Sequence, residues 1–567
     1  MTTTKDSFEN FLKIDALPLA GLVGLLVVLF SNALSGYWRA DDPSIISHAL
    51  NSSGLSAFYD PQNWRKLSPS SFTPWLTFSF KADLWWAGLT PSFFYLHSTV
   101  SLGLVAAAAY VLGRFWLTAF WSFAAVCLFL MGASTVSVVD LLMTRHYLEG
   151  LLFSLLSLIA FVYAVKSNKL AYTLVGALFY LLAVSAKEIY VPLVAVVLFL
   201  PILQTIKQRL KFIAAYVLVA LFYIFWRSYM LGVTIGGYVD TGSVFLTQSF
   251  VGLALALAKM PEFFFGIYWK LPAFLCGAIW LVASLKNVKA VAFFGVVLAC
   301  VFVPLVPLVS FPGISSPDRY LFLFWFVASF VTAFTASQVS SIKISKIDNI
   351  WPSNRFLFYL ISSAVIAVVV FTLQNSIILA KSRADGYREF ESQGRFYFEQ
   401  NDRAGIIPSQ VLLDSFWHVN DICSIKKRLS KTCPVSIVRG LIARGQSVEK
   451  LFAYDAASGA MVERPGSIAD EIAKAEAVDN TLALQVSVSL TDGWCRWDLG
   501  PYASGRYYFV SSNIGRYPVS RNGVLRINAA TLELQIQHES LDGRVTGSPV
   551  LVVNSSNPIV WNRPDQK

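Results

Sequence analysis

A chain of 567 residues that is 55% hydrophobic, 15% aromatic and only 14% charged falls outside the range of soluble globular proteins. Apolar runs of about 20 residues recur up to about Ala380, the pattern of a mainly α, polytopic helical membrane protein. Most of the net charge of +11 belongs to that part of the chain, so it reads as loop lysines and arginines that orient spans and excludes a nucleic-acid footprint.

Lys5, Asp6, Glu9 and Lys13 precede the first apolar run, which extends from about Ala16 to Leu34. No A-x-A-type cleavage site is clear, so the run is read as an uncleaved span rather than a signal peptide. Eleven spans are predicted, near 16–36, 92–113, 115–136, 147–165, 170–185, 190–206, 212–231, 263–284, 290–310, 320–338 and 356–379. Lys5, Lys13, Arg114, Lys166, Lys169, Lys207, Arg209, Lys211, Lys286, Lys289, Lys343, Lys346 and Arg355 all fall at span ends on one side, accompanied only by Asp6, Glu9 and Asp348. The positive-inside rule makes that side cytoplasmic. An odd number of spans then places the tail outside.

The same assignment sorts the acids. Asp41, Asp42, Asp60, Asp83, Asp140, Glu149, Glu188, Glu262 and Asp318 all lie at the outer side, with Arg39, Arg145, Lys187, Lys259 and Arg319 near them. The first outer loop, about 37–91, is too long for a connector and too apolar for a disordered one. Its Phe58, Trp64, Phe72, Trp75, Phe78, Phe80, Trp85 and Trp86 predict short helices lying in the membrane interface. A second amphipathic segment is expected over Val136–Glu149.

Residues 381–404 read as a polar helical connector, and 405–567 as a β-rich α+β soluble domain outside the membrane. Strands are expected at Gln410–Leu413, Val435–Arg439, Leu482–Leu490, Tyr507–Ser511, Val524–Ile527, Leu532–Gln537 and Val550–Val553, and a helix near Ser467–Ala477. Cys423 and Cys433 are close enough to close a small disulfide loop, which suits an oxidising compartment and leaves Cys495 over. Cys127, Cys276 and Cys300 lie in apolar runs and read as core thiols. The aromatics Trp494, Trp497, Tyr502, Tyr507, Tyr508 and Tyr517 could face sugar rings, but the core of a small β domain accounts for them more simply.

Five constellations could carry chemistry. Asp41-Asp42, beside Arg39 where the first span ends, offers one carboxylate to accept a hydroxyl proton and another to orient the acceptor; a pair capping a helix that starts at Asp42-Pro43 is the structural alternative. Asp140, Arg145, His146 and Glu149 could supply an acid, a phosphate contact or a histidine donor, or merely an i, i+4 salt bridge between Arg145 and Glu149. Lys187-Glu188 breaks the positive-inside pattern and could bind a lipid phosphate. Arg227 lies inside a span, as does Lys270. In Asp318-Arg319-Tyr320 the guanidinium could hold a departing phosphate, or pair internally with Asp318.

In this order the motifs Asp41-Asp42, Ser185-Ala186-Lys187-Glu188, Trp226-Arg227-Ser228-Tyr229-Met230-Leu231-Gly232 and Asp318-Arg319-Tyr320-Leu321 resemble those of the GT-C superfamily, the multispan glycosyltransferases that use polyprenyl- or dolichyl-phosphate sugars. The nearest flavour is the protein O-mannosyltransferase group, over about residues 15–380; the tail lacks the 34-residue helical repeats of its tetratricopeptide members. The resemblance implies a GT-C-like transmembrane domain at 1–380 and one-step inverting transfer of a hexose or pentose. It makes Asp41 the leading base, Asp42 its support, and Lys187, Arg227 and Arg319 the donor-phosphate ligands. Arg39, Asp140, Arg145, His146, Glu188 and Asp318 are secondary candidates. No metal ligand and no cofactor is assigned; a divalent cation stays open, since pyrophosphate-linked donors more often need one. The partners implied are the bilayer, a polyprenyl-phosphate sugar, and an acceptor protein such as a pilin, a glycan or a lipid. A bacterial inner membrane with a periplasmic tail is expected. A polysaccharide ligase or polymerase, and a lipid or solute transporter, are the competing readings; a transporter would show internal repeats and midplane charges.

Overall fold

The structure is a computed structural model that describes residues 4–68, 71–200, 202, 206–233, 258–286, 288–302, 318–340, 353–407, 409–414, 416–430, 432–438, 447, 449–465, 469, 482–491, 494–511, 515–526, 531–541, 544–554 and 558–564. The side chains of Lys5, Asp6, Glu9, Lys13, Lys207, Lys286, Lys289, Asp318, Lys343, Lys346, Asp348, Arg355, Trp494 and Tyr517 lie outside the described set, as does nearly all of the helix expected at Ser467–Ala477. The chain divides into two compact units, Met1–Trp38 with His48–Ala384 and Arg39–Ser47 with Asp385–Lys567.

Among the described residues six helices are long and apolar enough to cross a membrane: Ile14–Ser35, Pro91–Gly113, Leu142–Ser167, Arg209–Leu231, Arg319–Ser340 and Tyr359–Glu399. A seventh forms if Ala119–Leu130 and Ala133–Val139, bent by 60°, count as one span. The other four predicted positions hold the shorter apolar helices Leu170–Ala186, Glu188–Leu198, Lys270–Val282 and Phe293–Phe302. The chain is a mainly helical, multi-pass membrane protein with a C-terminal β-rich region. Its helices sort their faces as lipid requires. Leu174 and Phe225 point outward, whereas Gly176, Ala177 and Ala183 let Leu170–Ala186 lie close along Arg145–Ser167. Polar groups between the helices are satisfied there: the Tyr216 hydroxyl donates to the Ser157 carbonyl at 3.1 Å.

Residues 37–91 are folded. The helices Asp42–Asn51, Ser56–Tyr59, Pro61–Leu67 and Pro74–Ala87 follow one another, two of them started by proline at the first helical position. The Asp60 carboxylate caps the third by accepting the N–H groups of Gln62 at 3.0 Å and Asn63 at 3.1 Å. Trp64, Phe72 and Phe80 are fully buried, whereas Trp85 and Trp86 are exposed on the turn before the next span. That placement suits aromatic anchors at a lipid–water boundary.

In the second unit, Ala404–Ile406 (β1) runs parallel to Val435–Ile437 (β2) and Leu451–Asp455 (β3), and β3 pairs antiparallel with Ala460–Glu463 (β4). Eight further strands follow: Leu484–Thr491 (β5), Trp494–Gly500 (β6), Arg506–Ser511 (β7), Gly515–Val519 (β8), Asn522–Arg526 (β9), Thr531–Glu539 (β10), Val545–Asn554 (β11) and Ile559–Arg563 (β12). They form two antiparallel sheets, ordered β11-β10-β7-β8 and β12-β5-β6-β9. Alternation along β5 drives Leu484, Val486, Val488 and Leu490 into a core shared with Phe509, Leu534, Ile536 and Val553. Tyr507 and Tyr508 are buried, and Trp497 and Tyr502 pack on the same core. Between Gln535 and Gln537 the β10–β11 register slips, and Ser548-Pro549 bulges out of the edge strand; the Ile536 N–H donates to Ser548 Oγ instead, at 2.9 Å.

The strand expected at Gln410–Leu413 is instead a helix, Gln410–Asp414, followed by a second, Phe416–Ser430. A four-residue apolar run carries no period that separates the two. The first sheet's strands β1, β3 and β4, and also β6, β8 and β12, were not anticipated; they are short or carry Trp, Arg and Gly where alternation would be read. Cys423 and Cys433 are joined by a disulfide with Cα atoms 5.4 Å apart, and Cys495 is free and buried.

Candidate active site

The Asp41 turn belongs to the second unit. Asp42 opens the helix Asp42–Asn51 and is completely buried. Its Oδ2 accepts the Arg39 N–H at 2.8 Å while its own N–H donates to the Arg39 carbonyl at 2.9 Å, closing a tight reciprocal turn. Between them Ala40 sits at φ +45°, a left-handed conformation that costs an alanine about 1–2 kcal/mol. Asp41 is exposed, and its carbonyl accepts the Ile45 N–H as the helix begins. The two carboxylates therefore have different tasks: Asp42 builds the turn, and Asp41 is presented by it.

The side chains around this turn come from far along the chain. Arg39 Nε meets Glu391 Oε1 at 2.6 Å, and its guanidinium lies 5.0 Å from the Tyr387 ring centre. His418 Nδ1 lies 3.0 Å from the Ala40 carbonyl oxygen, and the Ser44 hydroxyl donates to Asp421. Burial lowers His418 to about 4, against the pull of the Ala40 carbonyl. Burial first, and then the charge of Asp41, raises the Asp421 carboxyl despite the Ser44 hydrogen bond. Sequence reasoning missed Glu391, Tyr387, His418 and Asp421. Only the helical spacing of His418 and Asp421 could have flagged two of them.

A second group lies wholly within the first unit. The helix Leu170–Ala186 ends where Lys187 turns extended, and the short turn Glu188–Tyr190 follows. Gly150 makes room for Tyr190: a Cβ there would come within 2.3 Å of its ring. The Tyr190 hydroxyl donates to the Tyr147 carbonyl at 2.5 Å, tying this turn to the residue after His146. Lys187 is buried, with Nζ 5.4 Å from the Tyr147 ring centre. The turn Asp318–Leu321 packs on Ala133–Val139 and carries Arg319, whose Nη2 lies 3.1 Å from the Tyr320 hydroxyl. Asp140, at the C-terminal end of Ala133–Val139, pairs with Arg383 Nε at 3.3 Å.

Arg227 lies near the end of Ile206–Leu231, which Gly232 closes at φ +79° with its N–H on the Ser228 carbonyl. Its Nε meets Glu188 Oε1 at 3.0 Å, and the same oxygen accepts the Phe72 N–H at 2.9 Å. Arg145 is wholly buried and pairs with Asp83, not with Glu149. It also donates to Ser98 Oγ at 3.1 Å and to the Phe94 carbonyl at 2.7 Å. Glu149 accepts from Ser79 at 2.7 Å and from Trp75 at 3.0 Å, and lies 3.3 Å from His97. His97 bridges back to Asp83 at 2.6 Å. Asp83 and His97 were missed as site neighbours, although a histidine inside an apolar run is a readable signal.

Three segments carry both a polar and an apolar contribution. Those bearing His146, Lys187 and Arg319 also supply Leu151, Ile189 and Leu323 to the lining of one cavity of about 180 Å³. Leu112, Val297 and Phe326 are among the residues that extend its apolar wall. Among the described residues no cluster of three or more His, Cys, Asp or Glu side chains could hold a metal ion.

No family model and no curated protein matches the chain. Solved structures do. The oligosaccharyltransferase AglB of the archaeon Archaeoglobus fulgidus, in complex with an inhibitory peptide and a dolichol-phosphate, matches with a TM-score of 0.44 and 12% identity over 89% of this chain and 74% of that one. The apo form of the Archaeoglobus fulgidus oligosaccharyltransferase matches with a TM-score of 0.43 and 12% identity over 90% and 75%. Its complex with zinc and sulfate gives 0.41 and 12% over 89% and 72%. This chain is similar in its course to those archaeal oligosaccharyltransferases.

Proposed function

We propose that the chain is an inverting glycosyltransferase that moves a sugar from a polyprenyl-phosphate donor to an acceptor hydroxyl on the outer, periplasmic face of a bacterial inner membrane. One observation supports this above the rest: the segments bearing His146, Lys187 and Arg319 all line one apolar cavity. Cations carried by the segments that line an apolar wall suit the two halves of a lipid phosphate, its charged head and its oily chain. The motif order, with its GT-C resemblance, supplies the reaction.

Asp41 takes the proton of the acceptor hydroxyl as that oxygen forms its bond to the anomeric carbon. The bond from that carbon to the phosphate oxygen breaks with its electron pair, so the sugar inverts and Asp41 is left protonated. Lys187 and Arg319 stabilise the charge on the departing phosphate, and the isoprenoid chain lies along Leu151, Ile189 and Leu323. Arg227, held by Glu188, buttresses the Lys187 turn.

The test is direct. The purified chain in lipid nanodiscs is given radiolabelled polyprenyl-phosphate sugars and an extract of envelope acceptors. Transfer that needs both Asp41 and the lipid-linked donor supports the reading; transfer unaffected by Asp41→Asn, or no transfer from any such donor, refutes it.

A further inference from the structure

We infer that the helix Phe416–Ser430 belongs to the acceptor side of the site: His418 and Asp421 are positioning residues that hold the Asp41 turn in shape. This rests on the reading of Asp41 as the base.

His418 and Asp421 are three residues apart, so they share one face of that helix. They reach residues on either side of Asp41. The His418 Nδ1–H donates to the Ala40 carbonyl at 3.0 Å, and the Asp421 carboxylate accepts the Ser44 hydroxyl. Ala40 is the residue that needs holding, because its left-handed φ of +45° is one the chain does not choose by itself. A bond to its carbonyl fixes the peptide plane that leads into Asp41.

The clamp is itself held. His418 is buried, and the Phe390 ring meets its imidazole nearly edge-on at 4.6 Å between centres, which sets the direction of Nδ1. Two residues beyond Asp421, Cys423 is tied by its disulfide to Cys433, just before β2. The C-terminal unit thereby shapes the base as well as following the membrane spans in sequence. A base displaced by about 1 Å loses up to a hundredfold in rate.

His418→Leu removes the donor, and His418→Asn returns an N–H at nearly the position of Nδ1. The leucine variant is expected to lose about 10–100-fold in kcat, with KM for the lipid donor within about twofold, and the asparagine variant to recover most of the loss. Hydrogen exchange of the Arg39–Ser47 amides in the full chain reads the turn without reference to activity. It should quicken in His418→Leu and return towards wild type in His418→Asn. Quickened exchange in a protein that transfers no sugar keeps the clamp on the Asp41 turn but removes the proposed function, and with it the assignment to an acceptor side. Unchanged exchange in His418→Leu overturns the inference whatever the activity, as does a kcat equal to wild type. If His418→Leu loses protection in β5–β12 as well, Ser44→Ala decides. Faster exchange confined to Arg39–Ser47 supports the clamp, and wild-type exchange there overturns it.

Discussion

Replacing Arg145 by methionine should destabilise the membrane unit by about 3 kcal/mol, the lower end of the cost of breaking a buried ion pair. The structure sets that figure. Arg145 has no exposure and Asp83 almost none, so the carboxylate left behind cannot recover its hydration. The Phe94 carbonyl and the Ser98 hydroxyl lose a donor in the same step. One compensation keeps the cost from the upper end of the range: His97 stays within 2.6 Å of Asp83 and remains a partner for its carboxylate. Removing both charges in Arg145→Met/Asp83→Leu leaves no unpaired buried carboxylate, and should cost less than the sum of the single changes by about 2 kcal/mol. Unfolding the purified chain by SDS in mixed micelles, followed by tryptophan fluorescence, measures all three variants. A single variant within about 1 kcal/mol of wild type, or a strictly additive double, would refute the network as a stability element. Because His146 is the next residue, the single variant should also weaken polyprenyl-phosphate binding.

Asp41→Asn should lower sugar transfer by at least about a hundredfold while unfolding as the wild type does, since the side chain is exposed; retained turnover would remove it as base. Lys187→Gln and Arg319→Ala should each weaken polyprenyl-phosphate binding, measured by isothermal titration in nanodiscs, more than acceptor binding; the opposite order would cancel their assignment. His418 gives a pH dependence. Its value lies below the ordinary 6.5 at about 4, so its share of stability is present above 6.5 and is lost as pH falls towards 4. That share is at most about 3 kcal/mol, and His418→Asn should flatten the acid limb of a stability profile of the soluble unit. Cysteines placed at Gln62 and Lys169 test the orientation: an impermeant thiol reagent added outside should label the first and leave the second, and the reverse would invert the proposed topology.

What the sequence made legible was governed by local rules. Among the described residues each apolar run holds an apolar helix, because a helix is the only open way to satisfy backbone groups in lipid. The tail's alternating strands β5, β7 and β10 showed themselves through period two. Pairings were not legible. Nothing local says that Arg39 meets Glu391, or that Arg145 takes Asp83 rather than its i, i+4 neighbour Glu149. The Asp pair shows the limit best. Two identical side chains, adjacent in the chain, are divided by a left-handed Ala40 into a buried turn-former and a presented carboxylate, and φ at an alanine leaves no mark in sequence.

The bulge at Ser548-Pro549 bears on how the tail stays single. β11 is the outer strand of its sheet, and Val550 and Val552 face outward along it. A straight strand with that face and an open row of N–H and C=O groups would recruit a like strand from another molecule. The proline withholds one N–H, and the extra residue twists the strand out of the plane such a recruit would need. Crowded side by side in a membrane, many copies can therefore carry oily edges without stitching into a continuous sheet.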